Sequence, residues 1–595
     1  MYLKGIKSIG QKIADNKLEI IDVDKSNSIA IINEDEIYSK INEFMTNNCI
    51  KKRTNDPTKK YTQDINKIID KSKHIIHPDR KKFLKYTIPD PSNHNINAAK
   101  APSFKPILKK HKEGNPIRPL VNTIGSPTYK LAKFIDSLLK NTLNLENPYT
   151  IKNSKTFADK IHNMKINNNI KIFSFDIVNL YSNIPVQDAI DTIELALKKS
   201  EKMNQAEITE LIEIIKIIMS QNYFEYKGKF YESNNGVAMG GPLSGTIAQI
   251  YLNNFEENNI MNVKNPFFKH IEKYFRYVDD TFFMFKGTDR ITNKFLDYLN
   301  GINKNIQFTI EKMDNTINFL DLTIFKDDSK CIQFKIFRKP TSTDCIIPYS
   351  SNHPISHKHA AIHAMANRVF TIPLNEHYRN KEINTIHEIC HRNGFPRYLV
   401  NNILDKHKNK NNASHDVTEQ RNSEHKYRKM NFYNETCNLV SKNFKKHDYK
   451  LAFTTNNKVI KQIKKIANKC KSKNNNTKMD TSNLSGVYQI NCNDCEKLYI
   501  GKTERSIKIR LKEHLQNEKS NVYRHIRDEK HSINNNVTVL HRNKDKNLIN
   551  VLEKFEIVKA TRNNSNLLNI QTEIDSARNC LLAKCCDLVD NNHND

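Results

Sequence analysis

Two apolar runs end in carboxylates, and few folds tolerate that arrangement without a cation. The run Phe173-Ser-Phe-Asp176-Ile-Val-Asn-Leu-Tyr181 delivers one acid where a strand should end and a tyrosine ring five residues later. The other, Tyr274-Phe275-Arg-Tyr277-Val278-Asp279-Asp280-Thr-Phe282-Phe283-Met-Phe285, sets two adjacent acids between apolar flanks and reads as a hairpin with the acids at its turn. Adjacent carboxylates repel, which costs free energy unless a cation offsets it. A pair of divalent ions about 3.5 to 4 Å apart, bridging Asp176 and Asp279, would do so and would organise in-line nucleotidyl transfer. Magnesium is the hard, oxygen-seeking candidate. An Asp-Asp pair alone is usually only a solvated turn, so the motifs between and before these runs decide the reading.

Between them lies Gly236-Val-Ala-Met-Gly240-Gly241-Pro242-Leu243-Ser244-Gly245, then a helical run over 247–255. Its glycines are expected to let the backbone approach a templating base closely. Upstream, Pro116-Ile-Arg118-Pro-Leu-Val121 follows the basic patch Lys109-Lys110-His111-Lys112. Arg118, by its bidentate fork, and Lys112 are candidates to hold a triphosphate.

With 595 residues the chain exceeds a single core and suggests two to four domains. Lys and Arg number 95 against 65 Asp and Glu, a formal charge of +30, which points to a polyanionic partner. Eleven scattered cysteines and an N-terminus without a signal-type apolar core argue against a disulfide scaffold and for a reducing compartment. No apolar run approaches the roughly 20 residues that span a bilayer, so a soluble protein with no membrane partner is expected. Residues 1–98 read as a mainly helical N-terminal segment with no legible chemistry. Strand-like and helical runs alternate over 99–340, for example a strand at 171–178 and a helix at 208–220. The stretch 341–408 is mainly helical, 409–484 is a polar connector enclosing a short α/β-like segment, 485–575 is a compact unit, and 576–595 is a tail.

That compact unit carries Gly486-Val487-Tyr488, Tyr499-Ile500-Gly501-Lys502-Thr503, then Arg505, Arg510 and His514. Two short strands should precede a helix on which Arg510 and His514, four residues apart, share one face. Arginine and histidine beside two tyrosines can bind a scissile phosphate and handle protons in its hydrolysis. Cys492-Asn-Asp-Cys495 followed by His525 and His531 has the ligand spacing of a closed, structural zinc site.

The block 102–340 resembles the fingers and palm of a reverse transcriptase. The wording Phe175-Asp-Ile-Val-Asn-Leu-Tyr-Ser-Asn-Ile-Pro185 and Ile317-Asn-Phe-Leu-Asp-Leu322 is similar to the polymerases of Penelope-like retroelements, relatives of telomerase reverse transcriptase. The 485–575 unit resembles a GIY-YIG endonuclease, with Val487 in place of the middle isoleucine. The resemblance implies a multidomain α/β and α+β chain: a right-hand polymerase of fingers, palm and helical thumb (341–408), followed by a small α/β nuclease domain. It implies that Asp176, Asp279 and Asp280 are the polymerase acids. Tyr181 would be the steric gate against ribonucleotides, with Gly240, Gly241 and Pro242 beside nucleotide and template. It further implies that Tyr488 or Tyr499 activates water and Arg510 stabilises phosphate charge. Glu553, on an apolar-periodic segment before Leu567-Leu568-Asn569, would carry one magnesium, with Glu556 as the alternative.

The expected function is RNA-directed DNA synthesis coupled to DNA nicking, for target-primed reverse transcription and integration. RNA template, DNA primer, target DNA and deoxynucleoside triphosphates are the expected partners. Two magnesium ions in the polymerase, one in the nuclease and one structural zinc are the expected cofactors, and the nucleus, after cytoplasmic synthesis, is the expected location. The rivals are a decayed or domesticated nucleic-acid-binding copy and a telomerase-like end-extending polymerase.

Overall fold

A computed structural model of the chain describes residues 2–24, 28–90, 97–110, 112–167, 169–233, 235–313, 316–340, 342–412, 426–454, 459–474, 485–533, 537–542, 546–563 and 565–578. They fall into two compact units, Met1–Pro89 with Asn97–Lys471, and Asp90–Ile96 with Ser472–Asp595. His111 of the basic patch, most of the 576–595 tail, and 413–425, 455–458 and 475–484 of the expected connector lie outside the described residues.

Among the described residues the first unit holds four sheets, two of them large. In the first, β1 (Leu18–Val23), β2 (Ile29–Asn33), β3 (Lys51–Arg53), β4 (Ser103–Leu108), β5 (Ile117–Asn122), β7 (Tyr223–Tyr226) and β8 (Lys229–Glu232) lie in the order β2-β1-β4-β7-β8-β3, with β5 also paired to β4. The N-terminal segment, expected to stand apart, is mainly helical but contributes β1, β2 and β3 to this sheet, so a boundary at 98/99 cuts through a shared core. Its strands are short and half-exposed, which is why their apolar pattern is weak in the sequence.

The second sheet, ordered β11-β6-β10-β9, joins β6 (Ile170–Ile177), β9 (Ile271–Tyr277), β10 (Asp280–Lys286) and β11 (Phe308–Lys312), all antiparallel. Successive strand side chains point to opposite faces, and here both faces are covered. Phe173, Phe175, Phe283 and Phe285 enter a core shared with helices Val186–Ser200, Gln205–Ser220, Ser244–Phe255 and Asp289–Ile302. Ile172, Phe282 and Met284 enter another, against helix Ser154–Ile161 and the three-stranded sheet of β12 (Thr316–Phe319), β13 (Leu322–Lys326) and β14 (Ile332–Ile336). Double coverage explains the unbroken apolar flanks around Asp279 and Asp280.

Helices Ile355–Thr371, Glu376–Arg392 and Arg397–Asn412 follow, packed through Ile362, Ala366, Val369, Ile386, Val400 and Leu404. Part of the expected connector is folded: β15 (Lys426–Asn431), helix Thr436–Lys445 and β16 (Tyr449–Thr454) form a β-α-β unit with parallel strands, and helix Val459–Asn474 packs through Ile463 and Ala467 on Ile13.

In the second unit β17 (Gly486–Asn491) lies between β18 (Leu498–Thr503) and β19 (Val537–Arg542). Val487 and Ile500 face a core with helices Lys546–Arg562 and Gln571–Arg578, whereas Tyr488 and Ile490 face helices Ile507–Gln516 and Asn521–Glu529. Among the described residues no helix is long and apolar enough to cross a membrane.

Candidate functional site

Asp280 lies directly opposite Asp176 in the β10–β6 register, so the two carboxylates leave the same face of the sheet. The Ile177 N–H donates to the Asp279 carbonyl (3.2 Å), and the Thr281 hydroxyl exchanges hydrogen bonds with the backbone of Phe175 (3.0 and 3.2 Å), locking that register. A cavity of about 680 Å³ opens beside Asp176 and Asp280 and is lined also by Tyr277, Asn318 and Asp321. Asp176 on β6 and Asp280 at the start of β10 offer carboxylate oxygens of the kind magnesium takes, while Asp279, in the turn before β10, acts through its charge on Tyr181. Lys112 already offers a cation there, its Nζ 3.7 Å from Asp176 Oδ2.

The turn is strained, because Val278 adopts φ +55°, a backbone region that costs a β-branched residue about 1–3 kcal/mol. Arg276 holds it. Its guanidinium, 2 % exposed, pairs with the 1 %-exposed carboxylate of Glu256 and donates to Asn253 Oδ1 (2.7 Å) and the Val278 carbonyl (3.3 Å), while the Tyr274 hydroxyl donates to Glu256 Oε1 (2.6 Å). Glu256 opens a π-helical turn, Glu256–Ile260, that continues helix Ser244–Phe255. The sequence reading passed over this pair; the signal was a cation at an inward strand position among aromatics. Arg276→Met should lower the melting of the first unit by the equivalent of about 3–5 kcal/mol, the cost of leaving a buried partner charge unpaired. Replacing Glu256 with Met as well should recover part of that loss. A melting profile indistinguishable from wild type in Arg276→Met would mean the pair does not hold the turn.

The glycine loop is clamped by the protein itself. A Cβ at Gly240 (φ +116°) would lie 2.5 Å from the Val121 carbonyl oxygen, and one at Gly236 (φ +69°) 2.5 Å from that of Ser182. The Val237 N–H donates to the Tyr181 carbonyl (2.7 Å) and the Val121 N–H to that of Met239 (2.9 Å). The expectation that these glycines make room for a templating base is thus corrected: they let the loop press against β5 and the Tyr181 segment. At Gly241 an added Cβ would lie 2.8 Å from Ser244 Oγ. Tyr181 and Pro242 line a second cavity, of about 730 Å³, with Tyr277 and Val278. Burial, then the Asp279 charge, push the Tyr181 phenol pKa up.

Arg118 is not a free ligand as expected. Its guanidinium pairs with Asp24 Oδ1 at 3.1 Å, an acid only 7 % exposed that the N-terminal segment supplies. Its Nε is nevertheless buried without a hydrogen-bond partner. Lys109 joins the cluster, its pKa pushed down by burial and then by the Lys112 and Arg118 cations. A half-buried cation cluster with an orphan donor suits an anionic ligand.

In the second unit the Tyr488 hydroxyl, fully buried, lies 2.8 Å from His514 Nε2, and His514 Nδ1 lies 2.7 Å from Ser520 Oγ. Burial, then the Arg510 cation, hold the His514 pKa down at about 4, so the ring is neutral and can accept at one nitrogen and donate at the other. Burial pushes both tyrosine pKa values well up. Gly501 is required here, since a Cβ would lie 2.7 Å from the Tyr488 hydroxyl and 2.7 Å from the Tyr499 ring. Arg510 pairs with Glu513 Oε2 at 2.9 Å.

Helix Lys546–Arg562 turns Glu553 and Glu556 to different neighbours. Glu553, its pKa raised by burial, meets Lys502 Nζ at 2.7 Å and its charge acts on Tyr488 and Tyr499; Glu556 is bound to His541 Nε2 at 2.6 Å. Glu573, absent from the sequence reading, acts on Tyr499 and Glu553 and accepts from Asn569 Nδ2 at 2.9 Å.

Cys492, Cys495, His525 and His531 converge, their ligand atoms all within 4.8 Å of one another. Cys492 Sγ lies 3.6 Å from His531 Nδ1, Cys495 Sγ 3.5 Å from His525 Nε2, and the two nitrogens 3.3 Å apart. A tetrahedral zinc with its usual bond lengths separates sulfur from nitrogen by about 3.5 Å and nitrogen from nitrogen by about 3.3 Å. The donors are therefore spaced for that ion.

Three family models match the chain: reverse transcriptase (RNA-dependent DNA polymerase) over residues 109–324, animal helix-turn-helix domain over 345–405, and GIY-YIG catalytic domain over 484–566. The second covers the helices expected as a thumb. Among solved structures, similarity extends to apo telomerase from Candida tropicalis (10 % identity over 66 % of this chain and 70 % of that one, TM-score 0.36). It extends also to telomerase from Candida albicans in complex with a TWJ fragment of telomeric RNA (10 %, 68 % and 69 %, TM-score 0.40) and to the Sicinivirus 3Dpol RNA-dependent RNA polymerase (11 %, 52 % and 69 %, TM-score 0.34). No curated protein matches.

Proposed function

We propose, from the reverse transcriptase domain and the C-terminal GIY-YIG nuclease domain on one chain, that this RNA-directed DNA polymerase and endonuclease replicates a Penelope-like retroelement by target-primed synthesis. The supporting observation is that one chain holds both an opposed Asp176/Asp280 pair and a Tyr488–His514 pair beside Glu553. A hydrolytic nick in chromosomal DNA leaves a 3′-hydroxyl, which is the primer that the Asp176 site requires. Such work belongs in the nucleus.

In the polymerase Asp176, Asp279 and Asp280 would hold two magnesium ions, which supply charge to the attacking and leaving oxygens. Lys109, Lys112 and Arg118 bind the triphosphate, and the primer 3′-oxygen displaces pyrophosphate at the α-phosphorus. Tyr181, braced by the Gly236–Gly240 clamp, closes on the sugar. Tyr181→Ala should therefore raise ribonucleotide incorporation severalfold in single-nucleotide extension on RNA templates. Unchanged discrimination would remove Tyr181 from that role.

In the nuclease Tyr488 or Tyr499 orients the attacking water, His514 Nε2 holds the Tyr488 proton, and Arg510 binds the scissile phosphate. Glu553 would carry one magnesium, and Cys492, Cys495, His525 and His531 a structural zinc. Glu553→Gln and Arg510→Ala should each cut nicking of supercoiled DNA at least about a hundredfold, as losses of transition-state charge stabilisation do. Glu556→Gln should retain nicking, and extension of a supplied primer should be untouched in all three. Extension and nicking assays on one preparation test the whole reading, and absence of either activity would overturn it.

A further inference from the structure

The folded piece of the former connector has a charge that neither active site uses. Counted along the sequence, residues 426–474 carry fourteen Lys and Arg against two acids, Glu435 and Asp448, a net +12 of the chain's +30. Side chains of the β15–β16 sheet alternate between its two faces. On one, Phe432 meets Phe453 edge-on at 5.4 Å and Arg428, itself exposed, lies over the Tyr449 ring, while helix Thr436–Lys445 contributes the buried Cys437. On the other, Tyr427, 64 % exposed, and exposed Lys429 alternate along β15, and their register partners on β16 are Lys450 and exposed Ala452. That face presents one aromatic ring with a small-residue ledge and two ammonium groups.

We propose that this face binds single-stranded RNA, namely the template strand that has not yet been copied. A ring that lies open to solvent stacks any base, and flanking lysines track phosphates. The reading rests on the polymerase assignment, because the single-stranded polyanion that a reverse transcriptase must handle is its RNA template, whereas the primer lies within a duplex. A general lysine bias accounts for cations on both faces but not for the ring: Phe432 and Phe453 pack together on the face that also carries Arg428, whereas Tyr427 stands open beside Lys429 and Lys450.

The test uses the full-length chain and primer–template hybrids with a long 5′ RNA overhang, a long 5′ DNA overhang or no overhang, with affinity read by fluorescence anisotropy across a salt series. Wild type should bind the RNA-overhang hybrid more tightly than the blunt one. Tyr427→Ala, a substitution too exposed to unfold the sheet, should weaken that binding about tenfold, the range expected for one stacked base, and leave blunt-hybrid binding unchanged. Lys429→Ala with Lys450→Ala should reduce the salt slope by about 1.4, two phosphate contacts on a single strand. Equal wild-type affinity for overhang and blunt hybrids, or variants that match wild type, would overturn the proposal. So would an equal loss on the DNA overhang, which would make the face a general single-strand binder. A change of oligomeric state in the variants without loss of RNA affinity would make it a protein contact. Extension by wild type on a template with almost no overhang is read in parallel: its failure would fault the polymerase assignment, whereas its success with overhang-independent binding would fault this proposal alone.

Discussion

Asp279→Ala should abolish RNA-templated DNA synthesis, by at least about a thousandfold or roughly 4 kcal/mol of barrier, and leave nicking at the wild-type rate. The expected loss is electrostatic. Asp176 and Asp280 leave one face of the sheet, and on the proposed reading Asp279 would add a third carboxylate from a turn whose backbone is already held in place by the Ile177 N–H and by Arg276. Those contacts use the carbonyls of Asp279 and Val278, which alanine keeps. Two ions that share fewer carboxylates lose affinity and mutual screening, and in-line displacement depends on both. Melting of the variant should match wild type, in contrast to Arg276→Met. Primer extension on an RNA template, with nicking of supercoiled DNA from the same preparation, reads the result. Near-wild-type extension would sink the acid assignment, and a parallel loss of nicking would mean that the compact units do not act separately.

Zinc removal should unfold the second unit. Cys492 and Cys495 lie in the β17–β18 loop, whereas His525 sits on helix Asn521–Glu529 and His531 just after it, so one ion held there would tie the loop to that helix. Four protein ligands would leave no open position for water, and the role would be structural. In small zinc-dependent folds the metal contributes on the order of 10 kcal/mol or more, as large as the whole stability of an ordinary domain. Chelation, Cys492→Ser or His531→Ala should therefore abolish the cooperative melting of this unit, with nicking lost and primer extension kept. Glu553→Gln should lose nicking with zinc content and melting intact. Metal analysis that finds no zinc, or an unchanged transition in Cys492→Ser, would reduce the four ligands to ordinary side chains.

Acid should act on the same unit through His514. Its native pKa near 4 lies below the ordinary 6.5, so between those values the unfolded chain takes up a proton that the native ring refuses. Stability is then full above about pH 6.5 and falls by roughly 3 kcal/mol as pH drops toward 4.

Much of the candidate chemistry was legible before any coordinates, because it is written in short windows. A strand has a period of two and a helix of about 3.6, so Asp176 at a strand end, two acids in a hairpin turn, and Arg510 with His514 on one helix face follow from spacing alone. The cysteine pair and the two histidines were likewise visible as ligand types at ligand spacing. The apolar runs around Asp279 announced a hairpin, though not that both faces of its strands would be covered or by which helices.

Other features needed the tertiary structure, because they depend on which distant surfaces meet. Nothing near Arg118 in sequence says that Asp24 of the N-terminal segment will bind it, or that β1, β2 and β3 will complete the sheet around it. The glycines at 236 and 240 were read as space for a base until the carbonyls of Ser182 and Val121 proved to fill it. Glu553 and Glu556, three residues apart on one helix, share nearly one face by periodicity, and only the fold shows that the first meets Lys502 and the second His541. Arg276 stands out only as a cation among aromatics in its own window, and its burial against Glu256 is what makes the pair a brace for the turn at Val278. Local spacing determines which face a side chain takes, and the sequence alone therefore determined the chemistry that each unit carries. Burial and pairing follow from long-range packing, which decided where those charges go and what holds them there.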